Sequence, residues 1–197
     1  MAASDNSGMR LILLGPPNSG KGTQAKAIAE RHGIPAISTG EMLRQAVAEG
    51  SELGRRVESI LEAGELVDDA TMADLVRDRL GRADTVGGFL LDGYPRTPGQ
   101  AETLNQILAE REEELTAVLL IEAPEEELIE RALGRGRADD TEEVLRERLR
   151  VYREQTAPLV GYYDRLGLLS RIDGNRPIEE VTSHIFAALG VETAAGA

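Results

Sequence analysis

Gly15-Pro16-Pro17-Asn18-Ser19-Gly20-Lys21-Gly22-Thr23 follows the apolar run Leu11-Ile12-Leu13-Leu14 and precedes a helical pattern from Gln24 to Arg31. A strand, a glycine loop and a helix, in that order, are the setting a phosphate-binding loop requires. Gly15 and Gly20 let the backbone turn tightly enough to aim its N–H groups at an anion. A helix starting near Gly20 adds the positive end of its dipole, and Lys21 puts a point charge on the outer phosphates of a nucleotide. The chain has two lysines, Lys21 and Lys26, against twenty arginines, so a lysine here runs against its own habit. The alternative is a glycine-rich turn with a solvated lysine; spacing, charge and flanking elements together favour phosphate. One feature is unusual for such a loop: Gly22 stands between Lys21 and the hydroxyl of Thr23.

Outward from this loop, short apolar runs alternate with helical patterns. The spacing predicts strands over 9–14, 36–38, 88–92, 116–121 and 168–172. Helices are expected over 20–32, 39–49, 53–63, 68–80, 98–112, 125–134, about 140–163 with a kink near Pro158, and 178–189. Such alternation means an α/β fold: a parallel five-stranded sheet covered on both faces, in three layers. Residues 38–67 hold two helices with no strand between them and read as a lobe inserted above the sheet. Ligands in these folds sit at the carboxyl ends of the strands, where both Gly15 and Asp92 fall.

Composition bounds the chemistry. The 197 residues suffice for one core with small appendages. Net charge is −13, so the basic footprint of a nucleic-acid or anionic-membrane binder is missing. There is no cysteine, which excludes disulfides and thiolate metal sites. His32 and His184 are isolated in sequence. Residues 1–8 are small and polar, unlike a secretion signal, and read as a tail, with a second one over 191–197; no stretch has the apolar length of a membrane span. A cytoplasmic monomer is the expectation.

Two further constellations carry chemistry. The strand 88–92 ends in Asp92, which beside a phosphate loop is placed to hold Mg²⁺ through water; taken alone it would read as a loop or capping aspartate. Arg131 and Arg135 share a helix face at i and i+4, and Arg137 follows. Their alternative partners are Glu127, Asp139 and Asp140. Arg148 falls on the same side of the long helix as Val144, Leu145, Tyr152 and Gln155, the side expected to bury, where a guanidinium needs an anion. Arg44 and Arg96 lie in a helix start and a loop near the same strand ends.

Four stretches together closely resemble the adenylate kinase family of nucleoside monophosphate kinases: residues 15–24, Ile37-Ser38-Thr39-Gly40-Glu41-Met42-Leu43-Arg44, the run from Gly88 to Thr97, and the run from Thr156 to Tyr163. They occur in family order, and the likeness spans about 9–189. The Gly-Lys-Gly-Thr form of the loop is also that family's. The resemblance implies reversible transfer from Mg·ATP to AMP, giving two ADP and balancing adenine nucleotide pools. It implies ATP binding by Gly15, Pro16, Pro17, Asn18, Ser19, Gly20, Lys21, Gly22, Thr23, Arg131, Arg135 and Arg176. An AMP site would comprise Thr39, Gly40, Leu43, Arg44, Ile60, Glu65, Leu66, Val67, Gly93, Tyr94, Arg96, Gln100, Arg137 and Arg148. Lys21, Arg96, Arg131, Arg137 and Arg148 would act on the migrating phosphoryl group, with Mg²⁺ near Asp92. The implied division is a core over 9–37, 68–134 and 140–190, an AMP-binding lobe over 38–67 and a short lid over 135–139.

Two departures stand out. Asn18 occupies a position usually held by glycine, and asparagine tolerates left-handed geometry better than most residues. Long-lid members carry a larger insert between the arginines, often with zinc-binding cysteines; this chain has a short lid and no zinc site. A UMP/CMP kinase, with the same chemistry on another base, and a nucleotide-binding module without transfer activity are the competing readings.

Overall fold

The computed structural model describes residues 8–135, the last by its backbone alone, and 141–191. Five strands form one parallel sheet in the order β2-β3-β1-β4-β5: β1 (Met9–Leu14), β2 (Ala36–Ser38), β3 (Gly88–Asp92), β4 (Ala117–Glu122) and β5 (Leu169–Asp173). Each strand after β1 follows a helix or a helical lobe, which is the crossover that parallel pairing demands. The fold is the three-layer parallel architecture that the alternation of runs indicates.

Burial shows why the central strands are continuous apolar runs rather than alternating ones. In β1, Ile12 and Leu14 enter one core while Leu11 and Leu13 enter another on the opposite face. The same split puts Phe89 and Leu91 of β3 on the first face and Leu90 on the second. Successive side chains of a strand point oppositely, so a sheet covered on both sides needs apolar residues at every position. The first core is closed by α4 (Asp69–Leu80), α5 (Pro98–Glu110) and α8 (Pro158–Arg165), through Val76, Leu104, Leu159 and others. The second is closed by α1 (Lys21–His32) and α9 (Ile178–Ala188), through Ile28, Val181 and Ile185. Gln24 ties these last two helices together: its Nε2 donates to the Ile178 carbonyl at 3.2 Å and its Oε1 accepts from Thr182 Oγ1 at 2.8 Å.

Register decides where the chemistry gathers. Leu13 pairs with Asp92, and Ser38 pairs with the same Asp92. The phosphate loop after β1, the start of α2 (Thr39–Ala48) after β2 and the turn after β3 therefore share one edge of the sheet. The helices α2 and α3 (Glu52–Ala63) pack on each other between β2 and α4. Both are capped at their N-termini by serine, Ser38 accepting from the Glu41 N–H at 3.4 Å and Ser51 from the Gly54 N–H at 3.0 Å.

The helix expected over about 140–163 is three pieces. The helix α7 (Glu142–Val151) passes into one wide turn over Tyr152–Thr156 and then into α8. The Ala157 N–H reaches back five residues to the Tyr152 carbonyl at 2.8 Å, so the turn holds an extra residue. That insertion rotates everything after it. Gln155, expected on the buried side, is exposed, and Thr156 is buried in its place.

Candidate active site

The phosphate loop is built as an anion cradle. Asn18 takes φ 66° and Gly20 takes φ 96°, which turns the chain sharply into α1. No side chain caps α1, and its first turn carries no acid. By contrast α2, α3 and α4 have Glu41, Glu52 and Asp69 in their first turns. An uncapped, acid-free helix start leaves its N–H groups and dipole for an external anion. Lys21 Nζ is held over the loop by the Gly15 carbonyl at 2.9 Å and the Pro16 carbonyl at 2.7 Å. Ser19 is buried against the loop.

A cleft of about 680 Å³ opens from this cradle along the carboxyl edge of the sheet. It is lined by Gly15, Pro17, Asn18, Gly20, Lys21, Gly22 and Thr23 on one side. On the other stand Thr39, Gly40, Leu43, Arg44, Glu65, Leu66, Val67, Asp92, Gly93, Arg96 and Gln100, with Arg131 and Arg148 above. Most of the residues singled out in the sequence are thus brought to one cavity. Five are not on its wall. Pro16 contributes its carbonyl to Lys21, and Ser19 lies beneath the loop. Ile60 packs against the core while its neighbour Leu61 lines the cleft. Tyr94 is buried, its hydroxyl donating to the Gln100 carbonyl at 3.2 Å. The Arg176 side chain is tied to Asp173 at 2.9 Å and to Glu180 at 3.5 Å. The Arg135 side chain, Arg137 and the lid over 135–139 lie outside the described residues.

One acid and two further cations act on the buried Arg96 guanidinium. The Arg96 guanidinium sits on the cleft floor, its Nε donating to the Gly93 carbonyl at 2.8 Å. Burial lowers its pKa, Asp92 pulls it back up, and the charges of Arg148 and Arg44 push it down again. Arg44 comes from α2, Arg96 from the turn after β3 and Arg148 from α7, so the polar floor is assembled only by the tertiary fold. Arg131 takes the alternative partner open to it from sequence: its Nε donates to Glu127 Oε1 at 2.7 Å, one helical turn away.

Thr39 is the second unusual group. The N-cap of α2 is taken by Ser38, not Thr39. Thr39 is 1 % exposed and its Oγ1 has no hydrogen-bond partner among the described residues. It stands beside Gly93, at φ 86°, where a Cβ would lie 2.9 Å from the Thr39 hydroxyl and 3.0 Å from Arg96 Nη2. Only glycine fits that corner. A buried hydroxyl left unpaired costs about 1–3 kcal/mol, and this one stands beside residues that line the cleft.

The candidate metal donor singled out in the sequence is Asp92, which lines the cleft. Among the described residues no group of three or more His, Cys, Asp or Glu could hold a metal ion. Mg²⁺ suits that poverty, because it keeps several waters and is bound through one or two carboxylates plus substrate phosphates. Asp92 fits such an ion carried in with a nucleotide.

A family model described as adenylate kinase matches residues 13–168. The chain belongs to the adenylate kinase family. The adenylate kinase of Kocuria rhizophila is 51 % identical over 184 residues, covering 91 % of this chain and 98 % of that protein. The adenylate kinase of a Synechococcus strain is 51 % identical over 180 residues, with the same shares of the two chains. That of Kosmotoga olearia is 48 % identical over 212 residues, covering 92 % and 99 %. Within this adenylate kinase frame, several wall residues were not among the expected site residues: Leu61, Met72, Val151, Tyr152 and Thr156, the last two noted only for the buried side of the long helix and as the start of a family stretch. The last three reach the cleft at or beside the wide turn after α7, which no local pattern announces. No helix among the described residues is long and apolar enough to cross a membrane.

Proposed function

We propose that the protein transfers the terminal phosphoryl group of Mg·ATP to AMP, reversibly, giving two ADP. One observation carries the reading: the charges of Asp92, Arg44 and Arg148 act on the buried Arg96 in the same cleft as the uncapped start of α1. This supports reading the cavity as a triphosphate cradle beside a second anion site.

The AMP phosphate is already an anionic nucleophile, so no general base is required. Its oxygen forms the new bond to the γ-phosphorus in line with the breaking bond to the β–γ bridging oxygen, whose electron pair leaves with ADP. Lys21 and the loop N–H groups hold the β- and γ-phosphates of the donor. Arg44 and Arg96 hold the acceptor phosphate, and Arg96, Arg131, Arg137 and Arg148 meet the charge of the phosphoryl group in flight. Asp92 would hold Mg²⁺ through water, and the ion would supply charge neutralisation at the donor phosphates. Water is the competing acceptor, so 38–67 and the short lid over 135–139 close over both nucleotides. The Arg131–Glu127 pair is the parked state of one clamp arm, exchanged for phosphate on closure. Thr39 and Gln100 face the acceptor base and favour adenine over a pyrimidine, in place of the UMP/CMP reading. The enzyme acts as a cytoplasmic monomer on ATP, AMP and ADP, balancing adenine nucleotide pools, without nucleic-acid or membrane partners.

Phosphorus NMR of a mixture of ATP, AMP and Mg²⁺ tests this. Two ADP should form for each ATP and AMP consumed, and chelation of Mg²⁺ should stop the reaction. ATP loss with AMP untouched would mean hydrolysis, and no turnover at all would mean a binding module; either outcome defeats the proposal.

A further inference from the structure

Gln100 is 1 % exposed and lines the cleft, and its carboxamide is gripped at both ends. Nε2 donates to Asp69 Oδ1 at 2.9 Å, and Oε1 accepts from the Arg96 backbone N–H at 2.8 Å. Neither partner can exchange its role: a carboxylate only accepts and a backbone N–H only donates. Turning the amide over would set oxygen against oxygen at Asp69 and N–H against N–H at Arg96. The group therefore has one allowed orientation, with one N–H and one oxygen lone pair left for the cleft.

Asp69 is itself fixed. It lies in the first turn of α4, where the helix start favours a negative charge. Thr97 Oγ1 donates to both of its oxygens, at 3.2 and 3.1 Å, and accepts from the Gln100 N–H at 3.1 Å, closing a ring of bonds.

We propose that Asp69 is a positioning residue for acceptor specificity: by locking the Gln100 amide it makes the site choose a 6-aminopurine nucleotide over a 6-oxopurine one. This rests on the AMP reading above. Adenine offers an amino donor at C6 beside an acceptor at N1. Hypoxanthine offers an oxo acceptor at C6 beside an N1–H donor. A glutamine free to turn over serves both bases equally; a locked one leaves the 6-oxopurine facing like groups. Polar sites reject by such mismatches far more strongly than apolar ones reject by shape.

The test is the ratio of kcat/KM for AMP to that for IMP, in the unmodified protein, Asp69→Asn and Asp69→Ala. Asparagine can donate as well as accept, so it permits the turned amide without a change of shape; the Arg96 N–H still opposes the turn. The ratio should be large in the unmodified protein and should narrow by about 10-fold or more in both variants. Because both substrates are measured on one preparation, loss of folded protein cancels, and a role confined to joining α4 to α5 leaves the ratio unmoved. AMP turnover with an unmoved ratio, or an unmodified protein that uses IMP as well as AMP, overturns this inference alone. No turnover of AMP at all overturns the AMP reading and this inference with it.

Discussion

Gly64 and Arg148 touch where the helical lobe meets α7: a Cβ on Gly64 would lie 3.1 Å from Arg148 Cγ. The same Cβ would lie 3.3 Å from the Val144 carbonyl, so the backbone of α7 blocks retreat. Gly64 ends α3 in the left-handed region, at φ 77°, and its bareness lets the lobe lie against the stem of a cleft arginine. Gly64→Ala should therefore lower kcat/KM by about 10-fold, beyond a stability loss of about 1 kcal/mol for the left-handed backbone. Gly50, at φ 62° with nothing within 4 Å of its Cβ position, is the control. Gly50→Ala should show the stability loss in a thermal melt without the kinetic one. Equal kinetic effects of the two substitutions would remove the contact from the explanation.

In the proposed mechanism, Arg96→Ala and Arg148→Ala each delete a donor to the phosphoryl group. Each should reduce kcat/KM on the order of 10²-fold or more while circular dichroism shows the fold retained. Near-normal turnover in either would take that arginine out of the transition state.

Asn18 holds φ 66° inside the phosphate loop. Asn18→Gly should leave ATP binding close to that of the unmodified protein, because glycine enters this region without steric cost. Asn18→Val should raise the KM for ATP severalfold or more, because a β-branched residue resists it. Titration of both variants with ATP checks this, and a well-behaved valine variant would mean the loop relaxes freely.

Glu113 supplies a pH dependence. Burial raises its pKa, but hydrogen bonds from Arg111 and the ion pair with Arg10 outweigh burial and hold it below the ordinary value. The pairs are at 2.8 Å from Arg111 and 3.2 Å from Arg10. A depressed carboxyl pKa stabilises the fold above the unfolded-state value of about 4.3, and that contribution is lost as pH falls through the folded-state value. Glu113→Gln should thus lower the thermal midpoint at pH 7 and make it fall less between about pH 5 and 3. Parallel midpoint curves for the two proteins would contradict this.

The sheet and its loop were legible because their signals are local. The run Leu11–Leu14 announces a strand buried on both faces, and the nine residues after it state their anion chemistry directly. Thr39 was legible only as a choice between capping a helix and meeting a ligand. Ser38 takes the cap and so removes the first role, and that depends on backbone geometry. Pro158 announced an interruption of the long helix, but not that it begins after Val151 as a wide turn, because one extra residue in a turn leaves the apolar spacing on each side intact. The Asp69–Gln100 bond joins residues 31 apart in the chain, and neither helix pattern hints at the other.

The central claim is that a polar pocket selects adenine as the acceptor base. Its most direct measurement is kcat/KM for AMP, CMP and UMP with Mg·ATP, in the unmodified protein and in Gln100→Ala. AMP should exceed both pyrimidine nucleotides by about 10²-fold or more, and Gln100→Ala should narrow that gap chiefly by raising the KM for AMP. Equal turnover of AMP and CMP by the unmodified protein would contradict the claim.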